Sequence, residues 1–371
     1  MTGQSASETL IGVFAQEGYL RVEPSVLQPA DIFIELSGED IRRRMFLTQD
    51  AEGAELCLRP EYTIPVCLQH LEREAADRPG SYSYAGPVFR LRPAESGEFL
   101  QAGIESIGRL DRTAADAEIL SLAVQGLDRL GRRSTRIRFG DMGILDALID
   151  ALGVSPPTKR RVIRAIVSGH GLAGLGGAES AAGPEHAGLL AAIEGQHPEA
   201  AKALIEDVLS IAGIARVGGR TASEIAERFL ARTANRSVLA DDVRRVLELY
   251  LDIGADPDAA AARIRALARD AGIRIDAALD MFEERTGFLA AHGIDVAELS
   301  FAAAFARNLD YYTGFIFEIH DAAHSDGKPI VGGGRYDNLL QHLGAADPVP
   351  AVGCSFWIDR IEQGASVNDG R

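Results

Sequence analysis

A change of texture divides the chain: from about Ser155 to Gly272 the residues are rich in Ala and Leu, patterned as helices and broken by the loop Gly169 to Gly177. Strand-like stretches lie on both sides. An α+β domain split by an inserted helical subdomain is therefore expected. In the first half, Leu56-Cys57-Leu58-Arg59 and Val88-Phe89-Arg90-Leu91 read as half-buried strands. After Arg112 a helix is expected, with Thr113 and Asp116 spaced as a capping box. Its apolar stripe is Ile119, Leu120, Ala123, Leu127 and Leu130, and Gly131 marks its end. Arg136 to Phe139 then alternates as a strand. Within the helical stretch, Asp256 is placed as an N-cap, Pro257 at the first helical position and Gly272 just past the end. A further helix carries Phe282 and Leu289, and strand texture returns near Leu299.

Charge and cysteine usage narrow the function classes. With 54 acidic against 38 basic residues the formal charge is −16, a field that repels phosphate backbones, so no nucleic-acid partner is expected. The basic runs Arg42-Arg43-Arg44 and Lys159-Arg160-Arg161 with Arg164 read as solvated faces, since neither is interleaved with aromatics. Cys57, Cys67 and Cys354 lack the spacing of a zinc site or a redox pair and read as reduced core residues. No stretch reads as a membrane span, and Met1 to Leu10 lacks the pattern of a signal peptide. A soluble cytoplasmic protein is expected.

Short motifs carry the chemistry. Late in the chain stand Arg307-Asn308-Leu309-Asp310-Tyr311-Tyr312-Thr313-Gly314 and Gly332-Gly333-Gly334-Arg335-Tyr336-Asp337. Earlier come Gly18-Tyr19 with Pro24, then Leu58-Arg59-Pro60-Glu61-Tyr62-Thr63, then Phe89-Arg90 followed by Gln101 and Glu105, with Asp359-Arg360 near the end. The ordered set resembles the core of class II aminoacyl-tRNA synthetases. Its two late stretches resemble the paired histidine-recognition motifs of histidyl-tRNA synthetases. The resemblance implies an α+β fold on an antiparallel sheet, with residues 1–152 and 272–371 forming the core and 153–271 the insertion. Ile361 to Arg371 is too short for an anticodon-binding domain, so none is expected. That combination most resembles the regulatory subunits of ATP phosphoribosyltransferase, synthetase-like paralogues that act with a short-form catalytic subunit.

By this resemblance the chain has no catalytic residue, metal or cofactor. It supports the partner's activity and transmits feedback inhibition by histidine in the first step of histidine biosynthesis, as a homodimer around Pro24 within a hetero-oligomer. The family's scheme gives Glu61, Thr63 and Gln101 to the ligand ammonium, Arg90 and Arg307 to its carboxylate, and Glu105 with Tyr312 to the imidazole. Tyr336 lines the ring, and Tyr311 belongs to the same set. The physical inventory agrees, because histidine needs acceptors, a guanidinium and partners for two ring nitrogens. Taken singly, the carboxylates could equally be structural and the tyrosines core filling.

Two details refine this picture. Arg307 and Tyr312 have odd spacing, so a regular strand would point them to opposite faces, and Asn308-Leu309-Asp310 is expected to break the pleat. The triple glycine admits close backbone approach or, read alone, a plain turn. Departures from the synthetases also matter: Pro93 to Gly108 contains no Lys or Arg and carries Glu95 and Glu98, which disfavours a triphosphate. Tyr62 and Trp357 stand where the family has glycine, and Arg360 is expected to be a structural remnant. The alternative is a truncated enzyme that still activates histidine with ATP.

Overall fold

The computed structural model describes residues 3–36, 39–73, 78–93, 95–169, 171–172, 216–217, 220–221, 239–307, 311–322 and 327–363. Two compact units emerge: Met1–Ala151 with Leu249–Arg371, and Leu152–Glu248. The division falls short of the expected 153–271 at its far end, because the helix Pro257–Asp270 belongs to the first unit. Helical periodicity shows that a face is buried, not against which core.

The first unit is built on strands β1 (Leu20–Arg21), β5 (Gly80–Phe89), β6 (Glu98–Ile107), β7 (Thr135–Asp141), β10 (Gly254–Ala255), β11 (Ser300–Ala302), β12 (Phe315–Asp321), β13 (Val331–Arg335) and β14 (Ala351–Trp357). They form one sheet in the order β1-β5-β6-β14-β13-β12-β7-β11-β10. Its middle is antiparallel from β5 to β7, while β1–β5 and β11–β7 are parallel. A smaller antiparallel sheet orders β2 (Leu27–Pro29), β4 (Glu55–Leu58) and β3 (Leu47–Gln49) as β2-β4-β3. The stretch expected as a strand from Val88 to Leu91 supplies only the end of β5, and the chain leaves the ladder at Arg90.

Alternation in the central strands sorts residues between two faces. Phe356 faces the helices Gly3–Gln16 and Arg112–Arg129: its ring lies 5.7 Å from Phe14, and Gly126 leaves room for Leu10 and Phe356. The opposite face carries Gln101, Gly103 and Glu105 of β6 beside Trp357, Ser355 and Gly353 of β14, with Gly332 and Gly334 of β13 in register. Over it lies a buried cluster including Phe33, Tyr62, Tyr84, Val88 and Tyr336.

Several local expectations meet tertiary competition. The helix Arg112–Arg129 buries Ile119, Leu120, Ala123 and Leu127, and Gly131 follows it at φ 75°. The capping box does not form. Asp111 is the N-cap, Thr113 Oγ1 donates to Glu284 at 2.7 Å, and Asp116 accepts from Arg335 at 2.8 Å and from Arg285 at 3.2 Å. Buried guanidinium partners outweigh a local cap. Asp256, by contrast, caps its helix through Ala259 N–H at 3.0 Å, with Pro257 next and Gly272 at φ 67° beyond. The helix Asp276–Ala291 buries Phe282 and Leu289.

In the second unit, the helix Pro156–Val167 buries Thr158, Val162 and Ile166 and leaves Arg160 and Arg164 exposed. Strands β8 (Arg216–Val217) and β9 (Arg220–Thr221) pair antiparallel. Most of the loop Gly169 to Gly177, and the proposed pleat-breaking Asn308-Leu309-Asp310, lie outside the described residues. All three cysteines are free and buried. Among the described residues no helix is long and apolar enough to cross a membrane.

Candidate functional site

The pocket takes shape where the helix Thr63–Leu71 begins over the glycine-rich face of the sheet. A helix start exposes backbone N–H groups that need acceptors. Glu61 supplies them, accepting from Thr63 N–H at 2.6 Å and Ile64 N–H at 2.9 Å. Thr63 Oγ1 is thereby aimed at β6 and donates to Glu105 Oε1 at 2.8 Å. Tyr336 donates to the other oxygen of Glu105, and Tyr84 reaches Oε1 at 3.4 Å. Tyr311 completes the wall, its ring 5.1 Å from that of Tyr312 and 5.8 Å from that of Tyr336.

Glycines make the room. A β-carbon on Gly353 would collide with the carboxylate of Glu105, and one on Gly332 would collide with the guanidinium of Arg307. Each of these side chains lies flat on backbone that only glycine exposes. The triple glycine is thus strand β13, with Gly332 and Gly334 facing the pocket, and not a turn. Arg307 and Tyr312 both precede β12, and the Arg307 guanidinium sits 5.9 Å from the Tyr312 ring and 5.7 Å from that of Trp357. Arg307 also donates to Phe317 O at 3.2 Å and lies 3.8 Å from Glu318.

Two further residues of the expected set make these contacts. Arg90 donates to Pro60 O at 2.7 Å and lies over Phe99, and its charge partly offsets that of Glu61. Gln101 is buried on β6 opposite Trp357, and its Oε1 has no hydrogen-bond partner.

The pocket is rich in acceptors and poor in compensating charge. Glu61 and Glu105 are 5% and 1% exposed, and among the described residues neither has a basic group within salt-bridge distance. Burial pushes the Glu105 carboxyl up to about 8, against the pull of the Tyr336 and Thr63 hydroxyls. Burial also raises Glu61, more than its two backbone N–H donors and Arg90 lower it. Tyr312 is raised to about 12 by burial despite Arg307.

Sequence reasoning missed Tyr84, which stacks on Tyr62 at 4.3 Å and hydrogen-bonds Ser355 Oγ at 2.7 Å. It also missed Glu318. Nothing local marks either, since their roles arise from strand pairing alone. Among the described residues no group of three His, Cys, Asp or Glu side chains is arranged to hold a metal.

Beyond Trp357 opens a cleft of about 610 Å³, lined in part by Arg92, Glu95, Lys328, Asp359 and Arg360. Within the cation-poor stretch Pro93 to Gly108, β6 runs from Glu98 to Ile107, so Glu98 begins a strand. The cleft's cations are engaged: Arg92 pairs with Glu95 at 2.9 Å and Asp359 at 3.5 Å, and Lys328 with Glu95 at 3.1 Å. Arg360 donates to Pro329 O at 2.6 Å and stacks on Trp357 at 4.7 Å. That arrangement offers little to a triphosphate.

The family model for histidyl-tRNA synthetase matches residues 3–217 and 220–361. An ATP phosphoribosyltransferase regulatory subunit from Chelativorans sp. is 40% identical over 364 residues, which span 96% of this chain and 96% of that one. The chain belongs to the ATP phosphoribosyltransferase regulatory subunit family. A member from Mesorhizobium japonicum is likewise 40% identical over 363 residues, covering 94% of each chain. A solved Bacillus halodurans structure, described as an ATP phosphoribosyltransferase regulatory subunit/histidyl-tRNA synthetase, has a TM-score of 0.67 at 20% identity over 98% of this chain and 78% of that one. The fold is that of the histidyl-tRNA synthetase-like class II proteins. Members of the family are regulatory subunits of an enzyme complex, not independent synthetases.

Proposed function

We propose that the pocket binds free L-histidine, and that the chain, assembled with a short-form catalytic ATP phosphoribosyltransferase, supports that partner's activity and transmits inhibition by histidine. One observation carries the ligand reading: Glu61 and Glu105 are buried and, among the described residues, no basic group forms a salt bridge with either carboxylate, while Arg307 stands near the same aromatic wall and Gln101, on the same face of β6 as Glu105, has a buried Oε1 without a partner. Such a site calls for a ligand that brings its own cation and a carboxylate. In this reading the ammonium lies among Glu61, Thr63 and Gln101, and the carboxylate meets Arg307 with Arg90. The ring lies against Glu105, Tyr311, Tyr312 and Tyr336. Glu61 already caps a helix, so its share in the ammonium site uses its remaining lone pairs. A homodimer around Pro24 belongs to the same reading, supported by the half-exposed Leu20, Leu27 and Leu47 of the small strands.

Calorimetry on the isolated chain tests the ligand. Histidine is expected to bind, and Arg307→Ala to weaken it by about 10- to 150-fold, the worth of one charge-assisted bond of about 1.5–3 kcal/mol. Unchanged affinity in Arg307→Ala and in Glu105→Ala would remove this pocket from the account.

A further inference from the structure

Glu105 sits in a hydrogen-bond arrangement that suits either of its protonation states. Ionised, it accepts from Thr63, Tyr336 and Tyr84 at once. Protonated, it can donate to the Tyr84 oxygen while Tyr84 hands its own proton to Ser355 Oγ at 2.7 Å. The hydroxyl chain thus gives a proton on Glu105 somewhere to point. Among the described residues, the titratable groups around it are neutral or negative when they titrate. Glu61 stands at the start of the helix Thr63–Leu71, Cys67 further along it, Tyr84 on β5, Cys354 on β14 and Tyr336 after β13. Tyr311 and Tyr312 close the remaining side, and the positive charge beyond them is Arg307, whose carboxylate partner is Glu318.

Charge balance within the pocket then sets a condition on the ligand. In the proposed pose, the ligand ammonium, Arg90 and Arg307 together balance Glu61, Glu318 and the ligand carboxylate. What is left is Glu105 against the ring. An ionised Glu105 beside a neutral ring would leave one uncompensated buried negative charge, which is costly.

We infer that Glu105 and the ligand ring hold one proton between them in the complex, making Glu105 a residue that selects for a ring able to share a proton. The balance is simple: in the free protein the proton is on Glu105, and on binding it is donated to, or transferred onto, a ring nitrogen, with no proton exchanged with solvent. Burial, which raises the free carboxyl to about 8, fits this. Above that pH the free site has lost its proton and binding must recover one from water. The inference rests on the reading of the pocket as a histidine site.

The test is the affinity for L-histidine of the native chain and of Glu105→Gln across pH 7 to 10. The ratio of the two affinities cancels titration of the ligand's own ammonium. The expected ratio is steady below about pH 8 and then falls by about tenfold per pH unit, the slope of one proton. Calorimetry in two buffers of different ionisation enthalpy should show the native chain taking up about one proton more than the variant at high pH. Should Glu105→Gln fold or bind poorly, the proton uptake of the native chain beyond that of the ligand ammonium gives the same answer. A ratio that stays flat or rises with pH, with no extra proton uptake, overturns the sharing while leaving the histidine reading intact. Absence of histidine binding at every pH overturns both.

Discussion

Replacing Arg285 by Met is expected to cost on the order of 3–5 kcal/mol of folding stability. Its guanidinium is 3% exposed, paired with Asp116 at 3.2 Å and with Asp141, and lies 4.7 Å from the Phe315 ring. Removing it leaves Asp141 buried with no other ion pair among the described residues, and leaves Asp116 paired there with Arg335 alone. Arg335 in turn is tied to Asp337 at 2.8 Å, and between those two residues stands Tyr336 of the pocket. The loss should therefore reach the site as well as the fold. Urea unfolding should show a lower midpoint with an unchanged slope. Arg265→Met is the control, since its pair with Glu283 at 2.8 Å is half exposed and worth about 1 kcal/mol or less. Equal small losses in the two variants would contradict a buried, interdependent ion-pair cluster.

Alanine at Gly332 and at Gly353 should separate the site from the scaffold. At Gly332 the three atoms nearest the new β-carbon all belong to the guanidinium end of Arg307, a flexible chain that can swing aside. Stability should change little, while histidine affinity should fall by about 10- to 150-fold, as when Arg307 is lost. At Gly353 the β-carbon meets the Glu105 carboxylate and, at 2.6 Å, the backbone oxygen of Ile104, which cannot move without moving β6. That variant should lose both affinity and about 1–3 kcal/mol of stability. Thermal unfolding beside calorimetry checks the pair. Native affinity in Gly332→Ala would mean that Arg307 need not lie where the structure has it.

Residues close in sequence were legible, and those brought together by pairing were not. Asp256, Pro257 and Gly272 announced a helix whose cap is entirely local, and the structure keeps all three in place. Thr113 and Asp116 announced a cap equally clearly, yet partners far along the chain, Glu284, Arg285 and Arg335, claimed both side chains. The motifs singled out Glu61, Thr63, Glu105 and Tyr336, which do meet. Tyr84 meets them too, through the register that sets Tyr84 against Gly103 and Gly103 against Ser355, and no spacing rule reveals that register. Likewise, Ala- and Leu-rich periodicity continues past Glu248, so it could not show where one compact unit yields to the other.

The most direct measurement is the histidine dependence of phosphoribosyltransferase activity in the complex assembled from this chain and the short catalytic subunit. The account predicts that adding the chain raises activity, that histidine inhibits the complex, and that Arg307→Ala leaves assembly and stimulation intact while raising the histidine needed for inhibition. A coupling of about 1–3 kcal/mol suffices for roughly 5- to 150-fold regulation. A complex in which Arg307→Ala keeps native histidine sensitivity, or the absence of any complex, would contradict it.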